Sequence, residues 1–197
     1  MCGRYICADG RDVSELCFIT EKSCLDESYP CECVPGCFAP IITQNGRLVR
    51  AKWGLPGKNH IVFNLRSEGL LYRSLTEMKS FSRCIVPARA YFEWMNFEEV
   101  PADHGVAPDT LTRRKLRFLF TPREKILLMC GLLYNDGSGN AFTIITRPAE
   151  PEFAFIHSRM PLLIREETAK TWLSDSSASE IFSENREAIP LSVRSAY

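Results

Sequence analysis

The 197-residue chain is expected to fold as a single α+β domain, mainly antiparallel β-sheet with a few flanking helices, spanning residues 1–197. Two observations lead there. Short apolar, β-branched or aromatic runs recur along the chain, separated by Gly-, Pro- and Asn-containing breaks, while helix-like spacing is scarce. The 45% apolar and 24% charged content is that of an ordinary globular protein, with length enough to bury a core without covalent staples.

In chain order, Tyr5 and Ile6 read as a first short strand and Asp12 to Phe18 as a helix. A loop rich in Cys, Glu and Pro then runs to Pro35-Gly36. Phe38 to Thr43 and Arg47 to Trp53 form two apolar runs joined near Asn45-Gly46, a hairpin signal. Trp53-Gly54-Leu55-Pro56-Gly57 breaks the pattern as a turn. Ile61-Val62-Phe63 reads as a strand that delivers Asn64, Arg66 and Glu68, and Leu70 to Phe81 as a helix. Cys84 to Pro87 and Ala90 to Met95 are strand-like, and residues 96–115 read as a surface loop or insertion. Arg117 to Thr121, Ile126 to Tyr134 and Ala141 to Thr146 form a strand series, with a turn at Asp136-Gly137-Ser138-Gly139. Arg165 to Leu173 reads as a helix with two Glu in its first turn, and Ala178 to Arg186 as a second.

Charge and cysteine content narrow the function classes. With 24 basic and 24 acidic residues the formal net charge is zero, which argues against holding long duplex DNA by bulk electrostatics but leaves room for a local basic groove. No apolar run approaches a membrane span, and no basic-then-apolar leader opens the chain, so the expectation is a cytoplasmic protein. In that reducing setting the 9 cysteines are expected as free thiols. Cys31, Cys33 and Cys37 lack paired metal-ligand spacing and a nearby His, so no metal is expected there, and Cys7, Cys17 and Cys24 complete the crowding near the N-terminus.

The N-terminal Met1-Cys2-Gly3-Arg4 carries the most distinctive chemistry. Removal of Met1 is expected, because the next side chain is small, and it leaves Cys2 with an α-amine and a thiol on adjacent carbons. Their reference pKa values, about 7.7–8.0 and about 8.5, leave both partly reactive near neutrality. An aldehyde would form a Schiff base with the amine, and the thiolate would close a five-membered thiazolidine.

Trp53-Gly54-Leu55, Asn64-Leu65-Arg66-Ser67-Glu68, Phe92-Glu93-Trp94 and His157-Ser158-Arg159-Met160-Pro161 follow that tetrapeptide in one order. Together they resemble the SRAP (SOS response-associated peptidase) family over essentially the whole chain. The resemblance implies a DNA-damage protein that crosslinks covalently to abasic sites in single-stranded DNA through an N-terminal Cys thiazolidine. It implies catalytic roles for Cys2, Asn64, Glu93 and His157, with no cofactor. A monomer suffices for such a reaction, and association with the nucleoid would accompany action on DNA.

Each residue has a physical reading beside that one. Asn64 both donates and accepts, so it suits positioning of the reacting end and the sugar; otherwise it closes a turn at a strand end. Apolar neighbours would raise the pKa of Glu93 and make it a proton shuttle; the alternative puts Tyr91, Glu93 and Met95 on one face with Glu93 exposed. His157 moves protons near neutrality, in the family to open the sugar ring, or is structural. Arg4, Arg66 and Arg159 would fork onto phosphates, and Trp53 would stack on a base or end a strand in the core. The basic run Thr112 to Arg117 reads as a solvated edge strand or a DNA contact.

The chain departs from the family pattern at Leu65, where Ala is usual. Cys31-Glu32-Cys33-Val34-Pro35 stands in place of a Tyr-Asn pair before Ala-Pro, and Glu150 stands where Asn commonly follows Ala149. Two other function classes stay open: a thiol (auto)peptidase using Cys2, and a non-catalytic module that binds single-stranded DNA or junctions.

Overall fold

The computed structural model describes residues 2–8, 10–20, 32–57, 60–71, 80–96, 115–123, 125–135, 137, 139–174 and 189–196. The elements are β1 (Tyr5–Cys7), α1 (Gly10–Ser14), β2 (Glu32–Cys33), β3 (Phe38–Thr43), β4 (Leu48–Trp53), β5 (Leu55–Pro56), β6 (Ile61–Val62) and β7 (Asn64–Arg66). They continue as α2 (Ser67–Leu71), β8 (Phe81–Asn96), β9 (Lys115–Pro122), β10 (Leu127–Asn135), β11 (Asn140–Pro148), β12 (Arg159–Pro161), β13 (Leu163–Ile164), α3 (Glu166–Leu173) and β14 (Leu191–Ser195).

The domain is better described as mainly β than as α+β. The strand path β8–β10–β11–β4–β3 returns to β8, so the centre of the sheet closes into a barrel and these strands leave no open edge to one another. Most pairings are antiparallel, as the sequence suggests, but β11 runs parallel to both β4 and β7.

β8 is the spine. Its 16 residues join the two runs read from sequence into one strand, and Phe81, expected at a helix end, begins it. Phe81 to Ala88 pair with β10, while Tyr91 to Asn96 pair with β9. On its other edge β3 pairs with Ile85 and Cys84, and β1 pairs with Tyr91, Ala90 and Ala88 around a bulge. Pro87 has no N–H to give and lies between those two stretches.

The hairpin expected at Asn45-Gly46 forms, with Ile42 opposite Leu48 and Phe38 opposite Lys52. Gly46 sits at φ 69°, which a side-chain-bearing residue rarely adopts, and Gly46 also lies against the Phe18 carbonyl. The break at Trp53-Gly54-Leu55 is made by Gly54 at φ 112°, whose missing side chain leaves room for Ile61. Instead of a plain turn, Leu55 and Pro56 pair with Val62 and Ile61 before the chain enters β7.

α3 forms where expected and places Ala169, Trp172 and Leu173 on one buried stripe. The Trp172 indole donates to the Cys84 carbonyl at 2.8 Å, fixing the helix across β8. α1 is shorter than expected, ending at Ser14. The expected helix at 178–186, the loop at 96–115 apart from its two ends in β8 and β9, most of the expected helix at 70–81, and Cys24 and Cys31 lie outside the described residues. Cys7 and Cys33 are buried with their sulfurs 3.0 Å apart, where β1 meets β2. No helix among the described residues is long and apolar enough to cross a membrane.

Candidate active site

Cys2 is brought to the middle of the domain by the β1–β8 ladder. Tyr5 stands opposite Tyr91, and the Phe92 amide donates to the Arg4 carbonyl at 2.9 Å, so the residues before Arg4 run alongside Glu93. Cys2 is fully buried in the same core cluster as Tyr5, Trp53, Tyr91 and Met160. Burial pushes its thiol pKa well above the ordinary value, and the nearby Glu93 carboxylate pushes it further.

β7 supplies the next group. Its parallel pairing to β11, Asn64 beside Ile144, holds the Asn64 side chain over the chain start. The Asn64 Nδ2 donates to the Cys2 carbonyl at 2.7 Å. The Asn64 Oδ1 is buried and has no hydrogen-bond partner among the described residues, an acceptor left open beside Cys2.

Glu93 is on the inward face of β8. Strand alternation does place Tyr91, Glu93 and Met95 together, but that face is the buried one, and Glu93 is only 2% exposed. Burial pushes its carboxyl from the usual 4.5 up to about 7, so it holds and releases a proton near neutrality. Tyr91 lies in the same group: burial raises its phenol, the charges of Cys2 and Glu93 add to this and Arg147 opposes it. All three therefore lie within electrostatic reach of one buried ring.

His157 follows the turn at 151–156 and precedes β12, which pairs with β11 through Met160 opposite Arg147 and Arg159 opposite Pro148. β7 and β12 thus flank the same end of β11, which is what brings the Asn64 and His157 motifs together. His157 Nδ1 lies 3.0 Å from the Arg159 amide and 3.2 Å from the Arg159 carbonyl, so it accepts from the one or donates to the other according to which ring nitrogen carries the proton. Half-burial lowers the imidazole pKa and favours the neutral ring.

The expected DNA-contacting residues divide. Arg66 is exposed. Arg4 is half-buried, with its Nη1 2.8 Å from Glu32 Oε2 and its guanidinium 5.9 Å from the Trp94 ring centre. Arg159 faces inward: its side chain is 11% exposed, its Nη1 meets Glu68 Oε1, and its Nη2 donates to Glu68 Oε2 at 3.0 Å and to the Thr146 carbonyl at 2.6 Å. That pairing holds the Glu68 carboxyl down at about 2. Arg159 therefore ties the Asn64 and His157 motifs together.

Trp53 is a correction. It is fully buried, edge-on to Tyr5 with ring centres 5.0 Å apart and to Phe63 at 5.9 Å, and its indole donates to the Phe63 carbonyl at 2.9 Å. It presents no face to a base and is part of the core that supports Cys2. Sequence reasoning passed over Arg147, and named Tyr91, Glu32, Glu68 and Glu150 without foreseeing their burial or ion pairs. Only the Arg147–Glu150 pair had a local signal, an opposite charge three residues away. The basic run contributes Lys115 and Arg117 to β9, paired with Asn96 and Trp94.

The chain is similar to known proteins over much of its length. Residues 1–190 match the family described as SOS response associated peptidase (SRAP). An abasic site processing protein, YoqW, of Bacillus subtilis is 27% identical over 143 residues, 66% of this chain and 58% of that protein. YobE, a second abasic site processing protein of Bacillus subtilis, is 27% identical over 143 residues, 66% of this chain and 60% of its own length. The chain thus spans under two thirds of the length of these curated relatives. Among solved structures, a protein from Bacteroides thetaiotaomicron superposes with a TM-score of 0.73 at 22% identity, covering 100% of this chain and 92% of that one. One from Bordetella bronchiseptica gives 0.72 at 17% identity, with 100% of both chains covered. The fold is shared with both, and the match over residues 1–190 establishes that the chain belongs to the SRAP family.

Proposed function

We propose that this protein processes DNA damage by capturing abasic sites in single-stranded DNA as a covalent thiazolidine on Cys2, exposed as the N-terminus by removal of Met1. The observation that carries the reading is the grouping of a buried thiol, an amide bonded to the Cys2 backbone and a carboxyl poised at about 7. The names of the Bacillus relatives supply the substrate class.

The chemistry balances with the protein's own groups. The Cys2 amine adds to the aldehyde carbon of the ring-opened deoxyribose to give a carbinolamine. Glu93, protonated at this stage, gives its proton to the departing hydroxyl, which leaves as water, and an iminium remains. The thiol then adds to the iminium carbon and its proton returns to Glu93, so one water is released and Glu93 ends protonated as it began. A raised thiol pKa makes this return necessary, since free thiolate is scarce at such a buried sulfur. Asn64 holds the Cys2 backbone and offers Oδ1 to the amine or a sugar hydroxyl. His157, held in its neutral form by burial, acts on the ring oxygen to favour the open aldehyde.

Intact mass spectrometry of the protein incubated with an oligonucleotide bearing one abasic site tests the reading. The expected species is protein lacking Met1 plus oligonucleotide minus one water. Absence of that species from protein shown to start at Cys2 would refute it, and retention of Met1 in active protein would refute the amine's role.

A further inference from the structure

Among the arginines around the site, Arg4, Arg147 and Arg159 each have the outward fork bound by a carboxylate and a buried Nε with no hydrogen bond among the described residues, and in Arg4 and Arg147 that carboxylate is the fork's sole hydrogen-bonding partner there. Arg4 Nη1 lies 2.8 Å from Glu32 Oε2, in a pair whose side chains are 36% and 38% exposed. The β1–β2 ladder, with Ile6 opposite Glu32, sets that carboxylate beside the guanidinium. Arg147 Nη2 meets Glu150 Oε1 just past the end of β11, with side chains 20% and 22% exposed. In both arginines Nε is buried and makes no hydrogen bond among the described residues. A guanidinium with an unmet buried donor and a carboxylate on its open side is set to exchange that carboxylate for another oxyanion. Arg159 differs, since its fork also holds the Thr146 carbonyl and joins two strands.

We infer that Glu32 and Glu150 are specificity-determining residues: by occupying Arg4 and Arg147 they make a phosphate displace a carboxylate, and so keep binding to an intact single strand weak. This rests on the strand-capture reading above. Both a lesion strand and an intact strand meet the same displacement cost, but only the lesion strand is then held by a covalent bond. Weak non-covalent binding thereby becomes selectivity, because an intact strand has no covalent bond to offset the cost. It also suits a chain whose formal net charge is zero.

The test is anisotropy titration of an intact single-stranded oligonucleotide over a salt series, with wild type, Glu32→Gln, Glu150→Gln, the double variant and Glu32→Asp. Each Gln variant is expected to bind about two- to five-fold tighter, the range of an exposed ion pair. Its salt slope should steepen by about 0.7 for each additional phosphate that the freed arginine neutralises. Glu32→Asp keeps the carboxylate and should stay near wild type. Excess intact strand should then reduce adduct on a lesion oligonucleotide more for the Gln variants than for wild type. Gln variants that bind the intact strand no tighter than wild type would overturn the inference, as would Glu32→Asp binding as tightly as Glu32→Gln. Failure of wild type to form any adduct would instead refute the capture reading, while the intact-strand titrations still decide the role of Glu32 and Glu150.

Discussion

Replacing Glu93 with Gln tests the poised carboxyl without changing its shape. Glu93 is 2% exposed, and burial raises its pKa from 4.5 to about 7. The folded protein therefore keeps a proton that the unfolded chain gives up above about 4.5. Below that value the group adds no pH-dependent cost; as pH rises through about 7 the folded state loses stability, because it must bury the charge. Moving the pKa from 4.5 to about 7 at ~1.4 kcal/mol per tenfold amounts to about 3 kcal/mol lost by about pH 8. The amide of Glu93→Gln cannot ionise, so the variant avoids that loss. Urea unfolding of both proteins between about pH 4.5 and 8.5 isolates the effect as a difference curve, since other groups titrate alike in both. His157 illustrates why the difference is needed: burial lowers its pKa, so its own contribution to stability rises with pH and opposes that of Glu93. The expected curve favours the variant increasingly with pH, by about 3 kcal/mol at its plateau. A flat difference curve would refute the reasoning, as would one completed below about pH 5.

Other substitutions read other parts of the structure. Asn64→Ala removes the 2.7 Å bond to the Cys2 carbonyl and should slow adduct formation about ten-fold in single-turnover assays, the size of one hydrogen bond to a reacting end. Trp53→Ala should cost about 3–5 kcal/mol in urea unfolding, as loss of a fully buried core aromatic, whereas Trp53→Phe, which lacks the donor to the Phe63 carbonyl, should cost less. Arg159→Ala leaves Glu68 without its fork and the Thr146 carbonyl without that donor; a fall in stability of about 1–3 kcal/mol is expected, with a thermal melt as the check. Gly54→Ala forces a side chain into the space of Ile61 at φ 112° and should lower the melting temperature by several degrees, on the order of 1–3 kcal/mol.

Much of the strand order was legible because its signals are local. Asn45-Gly46 marks a hairpin through its own backbone preference, and β9, β10 and β11 are apolar runs bounded by turn residues. What escaped depends on pairing over long separations. Nothing near Pro87 says that the strand continues through it, or that the sheet closes on itself through β8 and β10. Trp53 was readable in principle: in β4 Arg50 and Lys52 are exposed while Ala51 and Trp53 are buried, and that alternation assigns the indole to the core. Glu93 illustrates the converse. The period-2 pattern groups it correctly with Tyr91 and Met95, but a charged residue on an apolar face is a burial that local sequence resists predicting. Likewise Glu68 and Arg159 each stood out within a motif, yet their mutual fork is made by a separation of 91 residues.

The most direct test of covalent capture is a denaturing gel of the protein incubated with single-stranded DNA carrying one abasic site, beside an intact oligonucleotide and the Cys2→Ala variant. A retarded band that survives denaturation and requires both the lesion and Cys2 is the predicted result. A band of equal strength from Cys2→Ala, or none from wild-type protein that begins at Cys2, would contradict it.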